Sequence, residues 1–349
     1  MSLPFVEGVL SPQQIAQTAA SIAAVQLTSG ALPWFDGGHT DPWDHVQAAM
    51  ALSAAGRLDE AAAAYRWSAS AQRADGSWAI RYDGDVVTDP NIDSNFCAYI
   101  ATGVWHHWRV TGDQSFLASM WPVVQGGLDA ALAMQRPDGG VAWASGGGVA
   151  LPEALVTGNA SIHLSLRCGL ALADALGESR PDWELSAARL RHALDDHPEL
   201  FEPKVSHAMD WYYPVLGAAL PRSAAEARID ERWDEFVVAG LGSRCVSTNP
   251  WVTGAETCEL VLALDVLGRT DEAAAQLAAM QHLRESDGSY WTGLVYDDGV
   301  RWPVERTTWT AATVVLAADA LSRTTPANGL FRGVGLPICD WKVDATCPL

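Results

Sequence analysis

Carboxylates and indoles recur together in the polar, glycine-rich stretches of this 349-residue sequence. The acids stand at Asp41 and Asp44, Asp89 and Asp93, Glu153, Asp210, Glu256, and then Asp297, Asp298 and Glu305. Trp34, Trp43, Trp143, Trp211, Tyr212, Trp251, Trp291, Trp302 and Trp309 accompany them. A carboxylate hydrogen-bonds hydroxyl groups, and a flat apolar ring covers the CH face of a sugar, so the pairing points to a carbohydrate pocket. Cutting a glycosidic bond needs one carboxylic acid to protonate the leaving oxygen and one carboxylate as base or nucleophile. Each residue also has a plainer use. Asp41, Asp44 and Asp93 stand where helix N-caps would stand, the rings could fill a core, and Glu305 could pair with Arg301 or Arg306. His106-His107 has no spaced carboxylate partner and reads as packing rather than a metal site. No nucleophile elbow, phosphate loop or dinucleotide fingerprint is present. None of the six cysteines forms a CxxC, which is poor for zinc; Cys339 and Cys347 are near enough in sequence to pair, with free thiols the expectation. Glycoside hydrolysis by carboxylates requires no metal and no organic cofactor.

Helices must position these groups. Runs of helical period end in glycine or Gly-containing turns, and alternating β-branched runs are almost absent. The spacing predicts a first helix within residues 1–30, capped at Ser11-Pro12, then helices near 42–55, 59–72, 95–110, 116–134, 161–176, 183–194, 224–239, 256–267, 271–283 and 309–321, with another starting in the Asp210–Pro214 segment. Residues 79–92 read as a loop or short hairpin, and 136–159, 241–254 and 285–308 as loops. A Gln-x-x-Asp-Gly turn recurs at Gln72, Gln135 and, with an insertion, Gln281. A repeated helix pair buries its apolar face only against its neighbours. About six such pairs can close on themselves, and the loops after alternate helices then share one mouth, where sites tend to lie. The fold class expected is all-α, a single α/α toroid of about six helical hairpins over residues 1–325, with a tail, 326–349, packed on the ring.

Bulk properties narrow the partners. A net charge of -20 with only two lysines argues against a nucleic-acid partner. No run approaches the roughly 20 apolar residues of a membrane span. The start, MSLPFVEGVLSPQQ, has no basic n-region or apolar h-region, so a cytoplasmic location is expected. The expected partner is a small-molecule or oligosaccharide substrate, and the oligomeric state stays open.

The run DPWDHVQAAMALSAAGRLDEA through QRADGSW, NIDSNFCAYIATGVWHHWRVTGD and FLASMWPVVQGGLDAAL resembles the glucoamylase-type glycoside hydrolases with a six-hairpin ring. The likeness continues in VTGNASIHLSLRCGLALADALG, NPWVTGAETCELVLALDVLG and RWPVERTTWTAATVVLAADAL, covering roughly residues 40 to 322. It implies an inverting glycosidase for an α-linked glucoside or related sugar. Carried over, Glu153 falls at the general acid, Asp44 at the aspartate that grips sugar hydroxyls, Arg244 at a sugar-binding arginine and Trp309 at the aromatic residue opening the last long helix. Glu305, Asp298 and Asp297 compete for the general base. Asp93 would also hold hydroxyls, Trp43, Trp143, Trp251, Trp291 and Trp309 would wall the pocket, and Trp211, Tyr212 and Glu256 complete the expected substrate-binding set. Trp43 stands where the family has an arginine before the aspartate, and the acid segment has a single Glu.

The Gln-x-x-Asp-Gly-x-Trp turns are also similar to those of squalene-hopene-cyclase-like and prenyltransferase-like toroids, where an Asp-x-Asp-Asp acid protonates an alkene. Asn91-Ile92-Asp93-Ser94 keeps only the middle aspartate. A non-catalytic sugar-binding toroid is the third reading. The hydrolase reading requires Glu153 and a water-activating carboxylate to face each other across one saccharide-sized hollow.

Overall fold

A computed structural model describes residues 2–339; the Cys339–Cys347 pair considered from sequence lies outside them. In chain order the elements are α1 (Pro12–Ala24), α2 (Pro42–Ala54), α3 (Leu58–Ala71), β1 (Arg81–Asp83), β2 (Val86–Asp89), β3 (Ile92–Asp93), α4 (Ser94–Ala98), α5 (Ile100–Thr111), α6 (Gln114–Leu132), β4 (Ala144–Gly146), β5 (Val149–Ala150), α7 (Val156–Leu176) and α8 (Pro181–Asp196). Then follow α9 (Ala208–Leu216), α10 (Arg222–Glu231), α11 (Trp233–Phe236), β6 (Val237–Val238), β7 (Gly242–Arg244), β8 (Trp251–Thr253), α12 (Gly254–Val266), α13 (Thr270–Ala279), β9 (Gly293–Val295), β10 (Val300–Arg301) and α14 (Thr308–Ser322).

Six helical segments make an inner ring. α2 packs on α5, α5 on α7, α7 on α9, α9 on α12, α12 on α14, and α14 closes back on α2. The inner helices α2, α12 and α14 are buried almost all round, as alanine-rich helices between a ring and its outer layer must be. Outside stand α1, α3, α6, α8, α10 and α13, each beside an inner helix adjacent to it in sequence. The protein is therefore an all-α toroid of six helical hairpins.

The sequence also shows why the ring has a working end. Turns from inner to outer helices are short, often ending on a left-handed glycine such as Gly112 or Gly177. Connections from outer back to inner helices are long: 25–41, 72–93, 133–155, 197–207, 232–253 and 280–307. All six inner helices thus begin at the same end, under the long connections. That end also holds the strands. The expected loops 136–159, 241–254 and 285–308 contain short strands instead, and β10-β9-β8-β7-β6 form an antiparallel sheet. Segments of two or three residues are too short for alternation to be seen. The helix expected over 224–239 ends at Glu231, and Val237 and Val238 pair with β7.

The recurring turn fastens neighbouring hairpins. Gln72 Nε2 donates to Gly76 O within its own turn and to Val123 O of α6, both at 2.9 Å. Gln135 does the same to Gly139 O and Ser186 O of α8. Gln26, in a turn without the Asp-Gly pair, does so to Gly30 O and Glu60 O of α3. Gln281 departs from this pattern and bonds to Leu277 O; there Arg284 reaches Gln17 of α1 at 2.8 Å. Gly76 has φ +84, and a Cβ on it would lie 2.3 Å from Gly126 O, so only glycine lets the turn seat on α6. Gly288 seats on Gln17 in the same way, which is where the last hairpin meets the first. At the opposite end, Leu330, Phe331 and Leu336 of the tail are buried, and Arg332 and Arg323 pair with Asp265 at the end of α12.

Candidate active site

At the mouth the starts of α2, α4, α9, α12 and α14 surround a hollow of about 510 Å³. α2 supplies Asp41, Trp43 and Asp44, α4 supplies Phe96, α9 Met209, α12 Glu256 and α14 Trp309; Trp34, His39, Ile80 and Arg81 come from the connections. Asp41 is the N-cap of α2: its Oδ1 accepts from Trp43 N at 3.0 Å and Asp44 N at 2.9 Å, the use expected of Asp before Pro at a helix start.

Three residues on, Asp44 projects from the first turn and is only 7% exposed. Burial, then the neighbouring Asp41 carboxylate, then Glu259 and Glu256, push its pKa well above the usual 3.8. Its Oδ1 has no hydrogen-bond partner within the protein. Burial and its acidic neighbours thus favour the neutral form of Asp44, whose Oδ1 is buried without a partner. Glu256, 5% exposed, lines the same hollow from the first turn of α12. Inner helices pointing their N-termini at the site favour ionised carboxylates there, so the site balances burial against helix dipoles. One turn deeper, Glu259 is fully buried, and burial pushes its pKa up to about 8.

The walls are aromatic. Trp43 and Trp309 have ring centroids 6.1 Å apart, and Trp34 lies 5.6 Å from Trp309. Trp43 also meets Tyr99 edge-on at 5.8 Å and Tyr213 at 6.0 Å. The arrangement offers an acid, a carboxylate and CH-binding faces in one sugar-sized space.

Of the residues expected from sequence, Asp44, Trp43, Glu256 and Trp309 meet here. Asp93 caps α4, accepting from Asn95 N at 2.8 Å and Phe96 N at 3.2 Å, and burial pushes its pKa up to about 7. Tyr212 lies beneath the hollow, its hydroxyl donating to Glu259 at 2.6 Å. The others lie elsewhere. Glu153 is exposed and, with Trp143, Glu202 and Lys204, lines a separate depression that shares no residue with the hollow. Glu305 stands behind the wall, accepting from Trp34 Nε1 at 2.8 Å. Asp298 accepts from Val300 N in the exposed β9–β10 turn, where Asp297 is exposed too. Arg244 donates to the Tyr296 hydroxyl at 2.9 Å, away from the hollow. Trp251 packs edge-on against Trp302 on the rim, and Trp291 donates to Glu285 beside a second depression. Trp211 is core, stacked on Phe236 at 4.9 Å. Glu153 and Glu305 therefore do not face each other across this hollow.

Sequence reasoning misses Gln47 and Glu259, and takes Asp41 only as an acid or a cap. Their signal is spacing. Asp41 and Asp44 are three apart at the start of α2, and Glu256 and Glu259 three apart in the first two turns of α12, so each pair lies on one helix face.

The chain is 62% identical over 336 residues to MMP endo-(1,4)-3-O-methyl-alpha-D-mannosidase from Mycolicibacterium hassiacum, spanning 96% of this chain and 94% of that protein. Among solved structures, a wild-type glycosidase superposes with a TM-score of 0.71 at 16% identity, over 88% of this chain and 96% of that one. A GH63 mannosylglycerate hydrolase from Thermus thermophilus, in complex with glucose, superposes with a TM-score of 0.65 at 13% identity, over 86% and 99% of the two chains. No protein-family model matches the chain.

Proposed function

We propose that this chain, which belongs to the family of the M. hassiacum endo-mannosidase and is a glycoside hydrolase, cleaves α-1,4-linked mannose chains bearing 3-O-methyl groups at internal bonds. The observation that carries this reading is the meeting of Asp44 and Glu256, two nearly buried carboxyl groups, in one aromatic hollow. Asp44 protonates the leaving glycosidic oxygen, as its raised pKa suits it to do. Glu256 accepts a proton from the attacking water on the other face of the sugar, the inverting arrangement. Asp41 holds the first turn of α2 in place, and Trp43, Trp34 and Trp309 stack on the CH faces. The expected α-glucoside gives way to a mannoside because the 62% identical relative carries that name. The isoprenoid alternative fits less well: its acid would be Asp93, whose carboxylate oxygen is engaged in capping α4.

The rim supports a methylated substrate. Among the described residues, twelve large hydrophobic side chains are exposed, and eight of them lie in the mouth connections: Val86, Val87, Val149, Leu151, Val205, Val300, Trp302 and Val304. A methyl ether removes a hydroxyl donor and adds apolar surface, which such a rim covers better than it covers a hydroxyl.

The test is hydrolysis of α-1,4-oligomannosides with and without 3-O-methyl groups, following product size by mass spectrometry and the first-formed anomer by NMR. Internal cleavage with inversion is expected. Asp44→Asn and Glu256→Gln should each lower kcat by about 10²–10⁴-fold. Absence of cleavage of any α-mannoside, or full activity of Asp44→Asn, would overturn the reading.

A further inference from the structure

Below the hollow, the structure holds a second, wholly buried level of polar groups. Gln47 stands three residues after Asp44 on α2, and Glu259 three residues after Glu256 on α12. Each is therefore one turn beneath the reacting carboxyl of its own helix. Gln47 Nε2 donates to Glu259 Oε1 at 3.3 Å, and Tyr212 of α9 donates to Oε2 at 2.6 Å. Glu259 is 0% exposed and Gln47 1%.

From this geometry we infer that Glu259 is a positioning residue, a latch that joins α2 to α12 and so sets the separation of Asp44 and Glu256 one turn above. The inference rests on the proposed roles of those two carboxyls. Their separation matters because about 6.5–9.5 Å admits a water between acid and base, whereas about 5–5.5 Å does not. The buried residues of the two helices are mostly alanine, leucine and valine. Such contacts are non-directional and tolerate sliding; a two-ended hydrogen bond between buried groups does not.

Burial disfavours a charge on the latch, while the hydrogen bonds that Glu259 accepts from Tyr212 and Gln47 act the other way and leave its pKa at about 8. An ionised Glu259 would face Asp44 from α2, Tyr99 at the α4–α5 junction, Tyr212 and Tyr213 from α9, and Glu256 on its own helix, with Trp309 from α14 beside it. Among the described residues, no arginine, lysine or histidine figures in the leading influences on it. A charge there would hold the Asp44 proton more tightly and weaken Asp44 as an acid. While it is protonated, below about pH 8, Glu259 spaces the pair without biasing it.

The experiment compares wild type, Glu259→Leu, Glu259→Gln and Gln47→Leu in the full chain, with circular dichroism establishing that each is folded. Glu259→Leu removes both bonds and should lower kcat by about 10²-fold, the effect of a displacement on the order of 1 Å, with little change in KM. Glu259→Gln keeps a carbonyl that can accept and should recover most of that loss. It should also move the alkaline limb of the kcat profile to lower pH, because the charge that appears near Asp44 in the wild type at high pH no longer forms. Gln47→Leu, which leaves the Tyr212 bond in place, should lower kcat less than Glu259→Leu and serves if the latter does not fold. Wild-type kcat in Glu259→Leu or, if that variant is unfolded, in Gln47→Leu overturns the inference, as does an unmoved alkaline limb in Glu259→Gln. If Asp44→Asn and Glu256→Gln are inactive while the latch variants are normal, the latch alone fails. If Asp44→Asn is itself active, the assignment of the reacting carboxyls fails first.

Discussion

At the residue scale, the outcome turns on which acids are buried in the hollow and which are merely near glycine. Glu153 sits in a Gly-rich stretch just before α7, where a general acid would be expected by resemblance, yet it is exposed and outside the hollow. A proton donor must come within hydrogen-bond reach of the leaving oxygen, and a carboxyl in another depression cannot reach a sugar held in this one. Asp44 lines the hollow, and burial and its acidic neighbours push its pKa well above the usual carboxylate value. Glu153→Gln should therefore leave the rate of hydrolysis at the wild-type value, measured by reducing-sugar release beside Asp44→Asn. The capping role suggested for Asp41 and Asp93 from sequence is the one they fill, while Asp44, with the same local signature, does not cap. Position within three residues of a helix start does not separate these uses; the side chain's surroundings do.

At the element scale, the Gln-x-x-Asp-Gly turn is visible in the sequence as a repeat, but its purpose is not. At Gln72 and Gln135 it ties one hairpin to the next outer helix through one glutamine side chain and one close-packed glycine. Gly76→Ala should destabilise the protein by about 1–3 kcal/mol from the backbone conformation alone, and more once the contact with Gly126 is counted. Urea unfolding followed by circular dichroism would show it as a lower midpoint; an unchanged midpoint would mean the turn contributes nothing to stability. The helices are legible because long periodic runs with glycine stops have few other readings. The strands are not, since β6 or β10 has only two residues, and their pairing is a tertiary event.

At the scale of the whole molecule, the site makes the protein sensitive to alkali. Asp44, Asp93 and Glu259 have pKa values raised by burial, to about 7 for Asp93 and about 8 for Glu259. The folded state then binds protons more tightly than the unfolded one. The contribution is fully present below about pH 4, near the unfolded values, and is lost as pH rises through 7 to 8. Asp75 and Asp287, lowered by their bonds to Ser77 and Ser289, act in the opposite sense and lose their contribution only as pH falls below about 4. Burial lowers His45, His106, His107 and His163 to about 3 to 4, so their contribution is present above about pH 6.5 and opposes the carboxyls below it. Thermal unfolding should therefore show a melting temperature that falls only above about pH 7, less steeply in Glu259→Gln; a melting temperature that rises between about pH 7 and 9 would contradict it. Among the described residues no helix is long and apolar enough to cross a membrane. What the sequence determined alone was the class of architecture and the class of chemistry: periodicity and glycine punctuation are local properties, and so is a surplus of carboxylates and indoles in the connections. What tertiary structure alone decided was the choice among those carboxylates. Asp44 and Glu256 are 212 residues apart in the chain, and their proximity and the raised pKa of Asp44 arise only when the ring closes and buries both. Burial and long-range approach depend on the whole fold, and no local pattern encodes them.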